Sequence, residues 1–163
     1  MAGVAPDVSF AVEDPASAEA RFCIQSYYDE LDERFDAGFD PALGISADPD
    51  ELVPPRGLLI LARMASRPVG CGALKFHGAD PVELKRMWVS RDARGLGLGR
   101  RLLAELESHA RGTGASVVHL ETNRNLKEAI QLYRSSGYVE VPAFNDEPYA
   151  HLWFEKRLTP IER

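Results

Sequence analysis

Apolar and polar residues alternate with period two over Val8–Val12 (VSFAV), which predicts a first strand. After Asp14-Pro15 the period changes. Ala20, Ile24, Tyr27, Leu31 and Phe35 recur at three or four, the apolar face of a helix whose other face carries Glu19, Asp29, Glu30, Asp32 and Glu33. Asp14 is expected to cap this helix, with Pro15 as its first residue and the acidic face solvated. Residues 36–56 break every period with Gly38, Pro41, Gly44, Pro49, Pro54 and Pro55, predicting a loop with one short helical turn. A loop that long in a compact domain is expected to carry substrate contacts.

Two apolar runs follow, 57–63 (GLLILAR) and 69–76 (VGCGALKF), read as a hairpin turning at Ser66-Arg67-Pro68. The turn Gly78-Ala79-Asp80-Pro81 leads into a strand at 82–89 (VELKRMWV), rich in residues that suit a pleated surface. Gly95, Gly97 and Gly99 then open a helix at 98–111, stopped by Gly112 and Gly114. A strand at 116–122 precedes a helix opened by the capping pattern Asn125…Glu128 and closed by Gly137. Runs at 138–141 and 151–158 close the chain as strands. The order β–α–loop–β–β–β–α–β–α–β–β predicts an α/β fold of the α+β type. Its sheet is mixed and holds an antiparallel three-strand meander, unlike a doubly wound parallel sheet. Residues 1–163 are expected to form one domain.

Composition changes this picture little. The chain is 45% hydrophobic and 27% charged, ordinary for a globular protein. MAGVAPDVSF lacks a basic stretch followed by an apolar one, and no run approaches the roughly 20 apolar residues of a membrane span. Cys23 and Cys71 are far apart, as expected for reduced thiols, and the four histidines lack metal-ligand spacing. A cytoplasmic protein without metal or membrane partner is expected. Charge is uneven: residues 1–80 hold 6 Lys/Arg against 14 Asp/Glu, and residues 81–163 hold 13 against 11. The acidic first half argues against nucleic acid as partner. Lys85, Arg86, Arg91, Arg94, Arg100 and Arg101 collect around the glycine turn, where they would favour a phosphate-bearing ligand.

A strand, a glycine turn and a helix start make an anion site, because glycines admit the ligand to the backbone and the helix's first N–H groups point at it. Three glycine patterns compete. A P-loop needs Lys-Ser/Thr after its last glycine, and Gly99 is followed by Arg100-Arg101. The dinucleotide fingerprint needs a glycine three after the second, where Arg100 stands, and a first strand rather than a meander before it. In the third reading, Arg94-Gly95-Leu96-Gly97-Leu98-Gly99 resembles the R/Q-x-x-G-x-G/A signature of the GNAT superfamily of N-acetyltransferases. The resemblance covers most of the chain. Val89 and its spacing to Arg94 resemble the signature strand and turn, and LETN at 120–123 resembles the following strand. Ala129-Ile130-Gln131-Leu132-Tyr133, with Gly137-Tyr138, resembles the family's next helix and strand. VELKRMWV and FEK (154–156) are similar to a bacterial subgroup of acetyltransferases.

The resemblance implies an acetyl-CoA co-substrate, a small-molecule or peptide amine acceptor, direct transfer, and an arrangement that leaves a homodimer open. It places the pyrophosphate on Arg94, Gly95, Leu96, Gly97, Leu98, Gly99 and Arg100. Pantetheine falls on Met87, Trp88 and Val89. The general acid falls on Tyr133 and, in the branches that use one, a base on Glu83. An Asn that contacts the cofactor in many members is Leu126 here, which makes neighbouring Asn125 the candidate for that contact.

Acetyl transfer to an amine requires loss of a proton before attack. A lone carboxylate at Glu83 inside the central strand is expected to be desolvated, with a raised pKa suited to a base. Pairing with Lys85 is the alternative. His119 and His151 are further candidates for the base, and Arg34, Phe35, Tyr149 and His151 for the acceptor walls. A CoA-binding sensor without catalysis is the competing function.

Overall fold

The computed structural model describes residues 7–45 and 49–159. Residues 46–48 of the expected loop lie outside that range. Seven strands form one mixed sheet: β1 (Val8–Val12), β2 (Gly57–Met64), β3 (Arg67–His77), β4 (Ala79–Val89), β5 (Val117–Thr122), β6 (Val139–Val141) and β7 (Leu152–Arg157). Their spatial order is β1-β2-β3-β4-β5-β7-β6. Only β4 and β5 are parallel, joined by the crossover helix α2 (Leu98–Gly112). The other helices are α1 (Ala18–Arg34) and α3 (Lys127–Ser135). The expected order, class and meander are all present.

Alternation along the strands divides the core into layers. Leu59, Leu61, Cys71, Ala73 and Trp88 pack under α1 with Ala20 and Cys23. Leu58, Ile60, Leu74, Leu84 and Leu120 point the other way, under Leu102, Leu103 and Leu106 of α2 and Tyr133 of α3. Glycine at position 72 lets α2 lie close on β3, since a Cβ there would sit 2.5 Å from Leu106 Cδ1. No helix among the described residues is long and apolar enough to cross a membrane.

Several local expectations need correction. Asp14 spends its carboxylate on the N–H of Ala16, so Ser17 caps α1, its hydroxyl accepting from Ala20 N–H at 3.1 Å. The β2–β3 turn is Ala65-Ser66, both at positive φ (50° and 66°), while Arg67 and Pro68 already pair with β2. Such a two-residue turn matches the strands' own twist. The loop at 36–56 holds two 3-10 turns, Pro41–Leu43 and Pro49–Leu52. α1's acidic face is not simply solvated: Glu30, 12% exposed, lies 2.6 Å from Arg94 and 3.2 Å from Arg34.

β4 is the irregular strand. Its register with β3 passes from Cys71↔Trp88 to Ala73↔Lys85, so β4 carries one extra residue there, and Arg86 takes a φ of 53°. This is a bulge, which turns the strand and re-aims its side chains. Pairing with β5 covers Val82↔Val118 and Glu83↔His119 and then stops, so the two strands separate toward their C-terminal ends.

Gly57, at the start of β2, has no room for a side chain. A Cβ there would sit 2.3 Å from the carbonyl oxygen of Glu51 and 2.5 Å from that of Leu74, both backbone. Gly57→Ala is expected to cost about 2–3 kcal/mol, read as a lower urea midpoint at unchanged slope.

Candidate active site

The separation of β4 and β5 opens a cavity of about 130 Å³ that runs between the sheet's two sides. β4 contributes Leu84 to Met87, β5 contributes Leu120 to Thr122, and α3 contributes Ala129 and Tyr133. α1 adds Tyr27, Tyr28 and Leu31, and Phe35 follows just after its end. The rim comes from two segments that meet over the opening: Phe39, Pro41, Gly44 and Ile45 from the long loop, and Glu147 and Tyr149 from the β6–β7 connection. They are clipped together. Asp40 N–H donates to the Tyr149 hydroxyl at 2.9 Å, and Ile45 N–H donates to Glu147 Oε2 at 2.6 Å. Asn123 supports the rim from beneath, donating to Tyr149 O at 2.8 Å. The aromatic rings stack into a wall, with Phe39 to Tyr149 at 4.9 Å and Tyr28 to Phe39 at 5.4 Å between centroids.

At the mouth of the split lies the glycine turn. Gly95 and Gly97 have φ of 82° and 74°, a region that side-chain-bearing residues rarely enter. Gly99 stands for packing instead, since a Cβ there would come within 3.3 Å of Leu132 in α3. The first helical bond of α2 runs from Arg101 N–H to Gly97 O. The N–H groups of Leu98, Gly99 and Arg100 therefore lack intrahelical acceptors and, with the positive end of the helix dipole, suit an anion. The Leu98 side chain is buried, and Leu96 stands 48% exposed at the tip. The expected cradle is thus a backbone feature.

The basic side chains around it are partly committed elsewhere. Arg94 donates through Nε to Val89 O at 3.0 Å and pairs with Glu30, and its own N–H is taken by Arg91 O. It braces the turn rather than offering a charge to it. Arg91 pairs with Glu33 at 3.0 Å. Arg100 donates to Ser135 Oγ at 3.1 Å, linking α2 to α3, and Arg101 lies over the Phe10 ring. Met87 lines the cavity, whereas the Trp88 side chain points under α1. Beyond Glu83, β4 is not paired with β5; there Arg86 O accepts from Cys71 Sγ at 3.3 Å and Val89 O from Arg94 Nε.

Asn125 is not the cap that its spacing predicts. It neither caps α3, whose N-cap is Leu126, nor lines the cavity. Its side-chain amide donates to Arg34 O at 2.9 Å and to Asp36 Oδ1 at 3.1 Å, tying α3 to the end of α1. Glu83 stands in β4 as expected, but as the carboxylate paired with Lys85 and not as a lone one with a raised pKa. It lies outside the cavity wall, between His77 Nε2 at 2.6 Å and Lys85 Nζ at 3.2 Å. Burial alone would raise its pKa, but Lys85 and then His77 outweigh it, and the carboxyl sits below its ordinary value.

The carboxylate inside the cavity is Glu121, which the sequence reading passed over. Its Oε1 is 3.5 Å from Lys85 Nζ, and its buried Oε2 has no hydrogen-bond partner among the described residues. Desolvation raises its pKa; Lys85 opposes this, and Glu83 and Glu147 add to it. Its strand position was visible in LETN, but alternation does not say which face of a strand opens on a cavity. Tyr133, 5% exposed, lines the opposite layer. Burial first, and the Glu121 charge second, push its pKa well up, so the hydroxyl stays protonated. Neither His119 nor His151 lines the cavity: His119 binds Glu155 at 2.9 Å and stacks on Phe144, and His151 Nδ1 accepts from Arg124 N–H. Of the expected acceptor walls, Phe35 and Tyr149 line the cavity; Arg34 instead pairs with Glu30 and Glu128. No group of three or more His, Cys, Asp or Glu among the described residues is placed to hold a metal ion.

Residues 24–138 match the acetyltransferase (GNAT) family. The chain belongs to that family. An Azospirillum brasilense "IAA acetyltransferase" is 32% identical over 158 residues, spanning 94% of this chain and 99% of that protein. Among solved structures, a Klebsiella pneumoniae protein assigned as an acyl-CoA N-acyltransferase superposes with a TM-score of 0.75 at 28% identity, covering 93% of this chain and 98% of that one. A Bacillus anthracis protein assigned as a streptothricin acetyltransferase, solved in complex with acetyl coenzyme A, shares the fold. Its TM-score is 0.59 at 19% identity over 70% of each chain. The protein is an acyltransferase of the GNAT family.

The two readings of Asn125 predict different outcomes. As a tie between α3 and α1, Asn125→Ala is expected to lower stability by about 1–2 kcal/mol while calorimetric CoA affinity stays as in wild type. A large loss of CoA affinity at unchanged stability would restore the cofactor contact.

Proposed function

We propose that this protein is an acetyl-CoA-dependent N-acetyltransferase, built from residues 1–163 as one domain, that moves acetyl directly to an amine bound at the rimmed side of the cavity. One observation carries the reading. A buried carboxylate with an unpartnered oxygen, Glu121, and a buried protonated phenol, Tyr133, line the same opening between β4 and β5. Two features fit the co-substrate: the N–H groups of α2 that lack helical acceptors at the glycine turn for the pyrophosphate, and the stretch of β4 beyond its pairing with β5 for pantetheine. Acetyl-CoA would supply the acetyl group as a thioester.

Each remaining task falls to a residue of this chain. An acceptor amine is protonated at neutral pH and cannot attack until it loses that proton. Glu121 Oε2 takes it. Burial makes Glu121 a stronger base than an exposed carboxylate, because the charged form lacks water's stabilisation. Tyr133 gives its proton to the departing sulfur. The aromatic wall of Tyr28, Phe39 and Tyr149 shields the apolar part of the acceptor from water.

A CoA-binding sensor would use the same turn and the same strand edge. The acid and base lining one cavity favour turnover over sensing. A thiol-release screen with acetyl-CoA against small amines, amino acids and peptides separates the two: binding without release across the panel would leave the sensor standing.

Glu121 works only when deprotonated. kcat/KM is therefore expected to rise with pH through a limb above the ordinary carboxylate range, and Glu121→Gln to remove that limb with about a hundredfold loss of rate. Tyr133→Phe is expected to lower kcat at least about tenfold with little change in CoA affinity. Undiminished turnover by either variant would take that residue out of its role.

A further inference from the structure

Lys85 lies between two carboxylates. Its Nζ is 3.2 Å from Glu83 Oε2 and 3.5 Å from Glu121 Oε1, and the side chain is 9% exposed. Behind Glu83 stands His77, with Nε2 at 2.6 Å from Glu83 Oε1 and a side chain 40% exposed. Four side chains thus run in contact from the cavity wall to solvent: Glu121, Lys85, Glu83 and His77.

The value of this order follows from what a buried base requires. A carboxylate that owned the Lys85 ammonium outright would be held ionised and would bind a proton weakly. One with no cation near it would already be protonated at neutral pH. Glu121 is between the two limits, because the ammonium is shared and the shorter contact goes to Glu83.

We propose that Glu83, braced by His77, is a positioning residue that draws Lys85 away from Glu121 and so sets how firmly Glu121 takes up the acceptor's proton. This rests on the reading of Glu121 as base. The charged and titratable groups around Glu121 are Lys85 and Glu83 of β4, Glu147 of the rim and Tyr133 of α3; Arg86, held on the Tyr28 hydroxyl at 2.9 Å, and the phenols of Tyr27 and Tyr149 line the same cavity. Glu147 is anchored to Ile45 N–H, so the division of Lys85 between the two carboxylates is the adjustable element. The residue that resemblance marks for the base instead acts on the base through a lysine.

Removing Glu83 and removing Lys85 must then move Glu121 in opposite directions. In Glu83→Gln, Lys85 turns wholly to Glu121, whose carboxyl titration is expected to fall by about one pH unit. In Lys85→Met, Glu121 loses its cation and its titration is expected to rise by about one pH unit. Carbon-13 NMR of the glutamate carboxyls in the ligand-free protein reads both shifts without turnover; the Glu121 signal is identified by its loss in Glu121→Gln. With the amine that the thiol-release screen returns, the acidic limb of kcat/KM is expected to follow the same signs. An unmoved Glu121 titration in Glu83→Gln, or movement of both variants in one direction, overturns the proposal. Wild-type turnover by Glu121→Gln would instead remove the base assignment, and the NMR titrations would still decide whether Glu83 tunes Glu121.

Discussion

β4 and β5 hold parallel register at Val82↔Val118 and Glu83↔His119 and no further. The extra residue at Arg86, held at positive φ, bends β4 just where that pairing ends. A continuous parallel ladder would fill the space with backbone hydrogen bonds and leave no cavity. Once the ladder stops, the side chains of Leu84–Met87 and Leu120–Thr122 line a gap, and α3 reaches that gap with Tyr133. The fold gives up regular pairing at one point and obtains there a cavity between the two strands.

Electrostatics hold the two sides of that chamber in place. Glu30 of α1 lies within 2.6 Å of Arg94, which in turn grips the carbonyl of Val89 at the end of β4. Through this contact α1, the glycine turn and the bent strand are fixed to one another. Glu30 also meets Arg34 at 3.2 Å, so one carboxylate ties the end of α1 as well as the turn. It also explains why the arginines gathered near the turn do not all face a ligand. Several balance the acidic face of α1, and the anion-binding capacity rests chiefly on backbone N–H groups.

Much of this was legible in the sequence because it depends on local periodicity and glycine placement. The order of the ten strands and helices, the meander, the turn at Gly95–Gly99 and the position of Tyr133 all follow from period-two and period-four patterns and from residues that tolerate positive φ. Contacts between distant segments were not legible. Glu83 and Glu121 are both glutamates in strands beside apolar residues; the Glu83–Lys85 pair was open to a local reading, but nothing local says that His77 also meets Glu83 while Glu121 faces a cavity. Asn125 has the right type and spacing for a cap, yet Arg34 O and Asp36, some 90 positions away, claim its amide. The bulge at Arg86 carries no glycine to announce it.

The clips across the rim have a consequence for how the molecule is made. Asp40 meets Tyr149 and Ile45 meets Glu147 across 109 and 102 positions of sequence. Contacts of such separation must wait for the intervening chain to order, since closing a long loop costs entropy before the contact repays it. On a growing polypeptide the glycine turn and α2 are complete well before residues 147–149 exist. The surface that would recognise a co-substrate thus precedes, in time of synthesis, the wall that would admit an acceptor.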